Sequence, residues 1–231
     1  VRTQTATMFA AAPPLVKAAT GESVTKEQLG GPQVHVAVSG VAHNLVEDDE
    51  GAIALARRYL SYFPQNAWEQ APKRDDGDIG ERRLDRLLDL ISPNTRTPYR
   101  MRNVLQLLVD DGSLLEIQPQ FGPSVIVALA RLGGHSVGIV ANDPSVMAGS
   151  IDADSADKAT HFMDLANAFG LPVIFLADNP GVMGGTKAEQ SGVLRHAARM
   201  FVAQRRLQVP KLHVTLRKAF GFGSSIMAMN P

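Results

Sequence analysis

LPVIFLADNPGVMGGTKAEQSGVLRHAARM, residues 171–200, reads as a strand, a glycine-rich loop and a helix in immediate succession. The apolar run from Val173 to Ala177 is too short for a helix and has the composition of a buried strand. Asp178, Asn179, Pro180 and Gly181 are turn formers, and Gly184 and Gly185 keep side chains away from anything that approaches the backbone. From about Glu189 through Arg206 the pattern predicts a helix, with Val193, Ala197, Met200 and Phe201 on one face. This order of elements can aim backbone N–H groups into a cleft. It also occurs in ordinary strand-to-helix connections, so the stretch alone leaves both readings open.

Working outward, residues 155–169 form a helical pattern with Ala156, Ala159, Phe162, Met163, Ala166 and Phe169 on one face. Before it, 114–118, 125–131 and 136–141 read as three strands, the last two joined by a turn at Gly133 and Gly134. After the quoted stretch, 211–216 supplies one more strand ahead of Gly221, Phe222 and Gly223. Strand pairs giving way to alternating helices and strands imply an α/β layered fold. Further upstream, 101–109, 82–90 and 48–62 are helical, the last with acidic residues first and Arg57 and Arg58 late, as a helix dipole favours. Residues 64–80, rich in Pro, Gly and polar residues, form the best linker, and a domain boundary is expected near residue 75. Val34, Val36 and Val38 alternate with His35, Ala37 and Ser39 as in a short strand. In the stretch Ser23 to Gln28, Thr25 is placed to cap a short helix ended by Leu29, Gly30, Gly31 and Pro32. Residues 1–20 read as the remnant of a strand and helix from a domain that begins upstream. No repeat of 20 to 50 residues runs through the chain.

With 231 residues, 45% of them hydrophobic, the chain can bury a substantial core. Lys plus Arg and Asp plus Glu both number 23, so no charge excess points to nucleic acid or an anionic membrane. The absence of cysteine excludes disulfides, thiolate metal sites and cysteine nucleophiles, and suits a reducing compartment. Apolar runs such as 124–130 are far below membrane-spanning length, and no signal-peptide pattern opens the chain. A soluble, cytoplasmic protein is expected. A start at Val1 and a stop just after a Gly-rich loop suggest a fragment, with part of any active site outside it.

A phosphate loop at 181–188 fails on spacing: Thr186 precedes Lys187 where Gly is needed, and Ala188 follows where Ser or Thr would ligate magnesium. The run from Gly221 to Ile226 lacks the third Gly of a dinucleotide fingerprint and follows the last strand rather than the first. His35 and His43 have no acidic or thiol companions at ligand spacing, so structural or surface roles are expected and no metal site. Two Gly-rich loops remain, each between an apolar strand and a helical stretch. Such loops can present paired backbone N–H groups to an oxygen that gains negative charge.

Thr20-Gly21-Glu22, Leu29-Gly30-Gly31, His35 and Ser39-Gly40-Val41-Ala42 occur in order in the first part of the chain. Gly138 to Asn142, Gly149 to Asp152, Ser155 to Ala159, Asp178 to Gly181, Gly192 to His196, and Val209 through Lys211 to Arg217 and Gly221 follow. This set, spanning nearly the whole chain, resembles the carboxyltransferase (β) subunit of biotin-dependent acyl-CoA carboxylases. The resemblance implies crotonase-like domains of layered sheets and helices. Residues 1–74 would be the tail and linker of an N-terminal acyl-CoA domain, and 75–231 most of a C-terminal carboxybiotin domain.

It implies, further, that the backbone N–H groups of Phe222 and Gly223 are the donors to biotin, with Gly221 beside them. Asp178, Asn179, Pro180, Gly181, Gly184 and Gly185 would line the same cleft, and Ser225 would face the acyl group. The implied cofactor is carboxybiotin on a partner's carrier domain and the substrate a coenzyme A thioester. The implied partners are a biotin carboxylase, a biotin carboxyl carrier subunit and further copies of the chain, with the active site between subunits. Phe222 stands where the family more often has Gly, and Tyr99-Arg100 where Tyr-Asp is usual. Lys17, Lys187 and Arg217 are expected on solvated surface rather than on CoA phosphates. A related decarboxylase subunit and a non-catalytic scaffold are the competing readings.

Overall fold

The structure, a computed structural model, describes residues 6–66, 68–75 and 83–229. Nine α-helices are found among them: α1 (Pro13–Thr20), α2 (Lys26–Gly30), α3 (Asp49–Leu60), α4 (Leu87–Leu90), α5 (Met101–Leu108), α6 (Ala153–Ala168), α7 (Thr186–Gln190), α8 (Val193–Arg206) and α9 (Gly221–Ile226). Five strands, β1 (Leu115–Ile117), β2 (Val125–Leu132), β3 (His135–Asn142), β4 (Val173–Asn179) and β5 (Lys211–Ala219), make one sheet in the order β1-β2-β3-β4-β5. The β1, β2 and β3 pairings are antiparallel; β3 with β4 and β4 with β5 are parallel. The hairpin before the crossovers and the two parallel steps after them match the order read from the sequence.

Side-chain alternation builds the layers. Val125, Val127 and Leu129 of β2 and Val173, Phe175 and Ala177 of β4 face a core closed by α6 and α8. Ile126, Ala128, Ala130, Ile174 and Leu176 face the other way, onto Tyr99 and Met101, Val104 and Leu105 of α5. Because both faces are covered, β4 is buried along its whole length and reads as a continuous apolar run. Gly133 and Gly134 hold φ of 55° and 80°, as a two-residue type I′ hairpin requires. The buried Asp110 carboxylate accepts from both of their amides, at 2.9 and 2.7 Å. An Asp152–Ser155 capping box starts α6.

Residues before the linker share this core. Tyr62 and Phe63 pack among the β1, β2 and β4 side chains, Asn44 donates to the Glu116 carbonyl at 2.9 Å, and Arg58 reaches the carbonyls of Gly112 and Leu114 at 3.0 and 2.7 Å. Of the linker read at 64–80, Ala67 and residues 76–80 lie outside the described residues, as does Arg82 at the head of the helix expected over 82–90.

Several local expectations are corrected. Residues Val34–Val38 form a π-helical turn closed by the Ser39 amide on the Val34 carbonyl, not a strand. No strand among the described residues lies beside this run, and Val36 is buried while Val38 is exposed. Thr25 caps α2 by a capping box, as expected, and the helix runs from Lys26 to Gly30. The helix expected from 189 to 206 is two, α7 and α8, because Gly192 sits in the left-handed region at φ 78°. Strand 211–216 continues to Ala219, helix 82–90 shrinks to α4, and Gly221 to Gly223 open α9 rather than a free loop. Residues 6–20 hold α1 and no strand.

Candidate active site

The carboxyl ends of the adjacent parallel strands β3, β4 and β5 meet at one edge of the sheet, where Gly-rich connections leave for the helices. Asn142 closes β3: its Oδ1 accepts from the Asn179 side chain at 3.0 Å and the Asp178 amide at 3.3 Å, and its Nδ2 donates to the Gly149 carbonyl at 3.1 Å. Asn179 in turn accepts from the Gly181 amide at 2.9 Å, an Asx turn that reverses the chain just after β4. The loop is tied down beyond that, with Ile151 donating to the Gly181 carbonyl at 3.1 Å and Met183 to the Ile151 carbonyl at 2.8 Å.

The β5–α9 connection lands on this loop. A Cβ added to Gly223 would lie 2.3 Å from Asn179 Oδ1 and 2.7 Å from the Gly181 Cα, so only glycine lets the two loops touch. Phe222 and Gly223 occupy the first turn of α9, where amides have no partner within the helix, and among the described residues none accepts from either. The Phe222 ring packs on Phe201 of α8, with ring centres 5.6 Å apart, while its amide stays at the helix start.

The expected site residues thus divide. Gly221, Phe222, Gly223, Asn179 and Gly181 come together, and Ser225 follows on the next turn of α9. Pro180, Gly184 and Gly185 are exposed on the same loop, and an added Cβ at either of these glycines meets nothing within 4 Å. The Asp178 carboxylate points away, fully buried, to the Tyr99 hydroxyl at 2.9 Å and the Arg217 Nε at 2.7 Å. Burial and the adjoining Asp178 carboxylate push the Tyr99 phenol well above its usual range. Arg217 was expected on the surface, yet its side chain is 5% exposed. A basic residue near the end of a short strand gives no sequence signal for such burial, because its partner lies 39 positions away. Lys17 and Lys187 are exposed, as expected.

A second polar cluster joins the segment before the linker to the sheet. Lys158 on α6 is 1% exposed and donates to the carbonyls of Phe121 and Gln118, at 2.6 and 3.3 Å. Gln118, at φ 52°, donates to the Gly40 carbonyl at 2.7 Å. These residues, with Ser39, His43 and His161, border a cavity of about 380 Å³. Burial lowers the Lys158 pKa from 10.5 to about 8. Below pH 8 the amine is charged whether the chain is folded or unfolded, and the folded state carries the whole cost. Between pH 8 and 10.5 the unfolded chain binds the extra proton, so stability rises with pH. Denaturant unfolding should show a gain of about 2 kcal/mol from this group between pH 7 and pH 9.5, absent in Lys158→Met. Above about pH 10 the trend reverses as the Tyr99 phenol ionises only in the unfolded chain. Equal pH slopes in the two proteins would refute this account.

Among the described residues no group of three or more His, Asp or Glu could hold a metal ion, and no helix is long and apolar enough to cross a membrane.

The model of the carboxyl transferase domain matches residues 1–231. The chain is 41% identical over 225 residues to the methylmalonyl-CoA decarboxylase subunit alpha of Veillonella parvula, covering 97% of this chain and 44% of the relative. It is 39% identical over 233 residues to the methylmalonyl-CoA carboxyltransferase 12S subunit of Propionibacterium freudenreichii subsp. shermanii, covering 99% and 43%. The crystal structure of a transcarboxylase 12S hexamer with hydrolysed methylmalonyl-coenzyme A superposes with a TM-score of 0.93 at 38% identity, over 97% of this chain and 44% of that one. The chain therefore spans less than half the length of the relatives it matches, and the crotonase-like α/β layering expected above is the fold it has.

Proposed function

Because the chain belongs to the carboxyl transferase domain family, we propose that it forms the biotin side of an acyl-CoA carboxyltransferase. One observation carries the reading: the unspent amides of Phe222 and Gly223 stand side by side at the start of α9, against the Asn179–Gly181 turn. Two convergent N–H donors fit a ureido oxygen, and the absence of a side chain at Gly223 and Gly181 leaves the backbone open to close approach. When bound, carboxybiotin supplies the carboxyl group and leaves negative charge on that oxygen. The Phe222 and Gly223 amides hold the oxygen through hydrogen bonds that strengthen as the charge grows, and neither donor needs to reorganise. The 178–185 loop supplies one wall and limits water. No side-chain acid or base is required from this chain in that scheme, which agrees with the burial of Asp178 in an ion pair.

In this proposal the carboxyl group passes to the α-carbon of an acyl-CoA, whose α-proton goes to the biotin nitrogen that gives up the carboxyl group; segments of the complete enzyme outside 1–231 would complete the acyl-CoA site, with Ser225 facing the acyl group. Residues 1–74 would belong to the acyl-CoA domain and 75–231 to the carboxybiotin domain. A biotin carboxylase and a biotin carboxyl carrier subunit would be the partners, in the cytoplasm. Assembly with further copies is supported by the hexamer of the 12S neighbour and by exposed Leu194, Phe220, Phe222 and Met229 around the α8–α9 end. The identity to a methylmalonyl-CoA decarboxylase subunit favours, as second reading, the same transfer run towards biotin.

The test is a carboxylation assay of the complete enzyme with its biotinylated carrier, biotin carboxylase, ATP and bicarbonate against acetyl-, propionyl- and longer acyl-CoA. ATP-dependent carboxylation is expected. Release of CO2 from a carboxylated acyl-CoA without forward transfer would select the second reading, and no transfer either way would leave only a scaffold.

A further inference from the structure

The β4–β5 ladder is regular from Val173 opposite Lys211 to Ala177 opposite Thr215, and then jumps, so that Asn179 faces Ala219. Two extra residues of β5 are accommodated in this irregularity, which spans 216–218. The jump carries Ala219 forward and so delivers Gly221 to Gly223 to the Asn179–Gly181 turn. Backbone pairing is interrupted there, and side chains take over. Arg217, inside the bulge, donates Nε to Asp178 Oδ2 at 2.7 Å across the gap in the ladder. Its Nη1 reaches the carbonyls of Asn94 and Thr97 at 2.9 and 2.8 Å, and of Ser92 at 3.3 Å. The guanidinium lies 4.6 Å from the Tyr99 ring centre, and the Tyr99 hydroxyl bonds the same carboxylate oxygen at 2.9 Å. Lys218 adds a bond to the Thr95 carbonyl at 3.2 Å.

We infer that Arg217, Asp178 and Tyr99 form a brace that sets the bulge in β5, and that Arg217 is a positioning residue for the Phe222 and Gly223 amides. Its reach explains why arginine is needed: one planar fork serves a carboxylate in one direction and three carbonyls in another, with a flat face for the ring. Asp178 is covalently next to Asn179, whose Oδ1 is the atom that Gly223 abuts, so any shift of the brace moves both walls of the site. A lysine would keep the charge and lose the fork. Catalysis by aligned donors is sensitive to such shifts, because a misplacement on the order of 1 Å costs up to about a hundredfold.

The inference rests on the proposed transfer, and its test separates the two. In the complete enzyme, Arg217→Lys and the milder Tyr99→Phe are compared with wild type for transfer from a carboxylated acyl-CoA to free biotin, together with amide hydrogen exchange. Arg217→Lys should lower kcat by about 30- to 100-fold and Tyr99→Phe by about 5- to 10-fold, with the acyl-CoA KM within about twofold of wild type. Exchange should accelerate over 216–225 while β2 and β3 stay protected. A kcat within twofold of wild type in both variants would overturn the brace. So would a loss of protection spread evenly through β2 and β3, which would mark a merely structural role. Should wild type itself transfer nothing, the functional reading falls, and the exchange comparison still decides whether the brace sets the 216–225 segment.

Discussion

Replacing Gly223 by proline should lower carboxyl transfer by about a hundred- to a thousandfold, the loss expected when one donor to a developing oxyanion is removed. Proline has no N–H, and its ring would bring atoms into space where a Cβ already lies 2.3 Å from Asn179 Oδ1 and 2.7 Å from the Gly181 Cα. The two causes separate with Gly223→Ala, which keeps the donor and introduces only the contact. Because Gly181 Cα is backbone, relief requires the turn to move, and a loss of about tenfold is expected from misplacement alone. Steady-state kinetics with the complete enzyme and free biotin check the series. Unchanged kcat in Gly223→Pro would remove the amide from the reaction, and with it the observation on which the functional proposal stands. Acyl-CoA affinity should be little altered in either variant, since the proposal assigns that substrate to other segments.

The largest effect on stability is expected at Phe162, which should cost about 3–5 kcal/mol when cut to alanine. Its side chain is 2% exposed on the inner face of α6, and its ring lies over β3 at Gly138, where an added Cβ would stand 3.1 Å from it. The strand offers no side chain at that point to close the void, and the surrounding Val140, Met163 and Ala166 are held by the sheet and helix they belong to. A cost of this size is a large part of the roughly 5–15 kcal/mol that holds a domain together. Urea unfolding should show a lower midpoint with an unchanged slope, and Phe162→Leu should recover more than half of the loss. A loss under about 1 kcal/mol would mean that the α6–β3 contact is not the tight packing described.

Much of the fold was legible because its signals are local. The β2–β3 hairpin follows from two glycines between apolar runs, and the buried β4 from the apolar run Val173 to Ala177 that leads into Asp178. The Gly-rich loops stood out for the same reason. The misread elements failed for want of neighbours: an alternating run at Val34–Val38 makes a strand only beside another strand, and the described residues supply none there. A helical face running from 189 to 206 gave no measure of the left-handed turn at Gly192.

By itself, then, the sequence determined the layered α/β order, the family to which the chain belongs, and the two loops worth watching. Only the tertiary structure decided that these loops touch, that Asp178 is spent on Arg217 and Tyr99, and that Lys158 is buried beneath Gln118 and Phe121. The physical reason is one of range. Periodicity, turn chemistry and capping act over a few residues and can be read along the chain. The bulge that brings Gly223 to Asn179 is fixed by an ion pair between residues 39 positions apart, and such a pairing exists only once the sheet has aligned its strands.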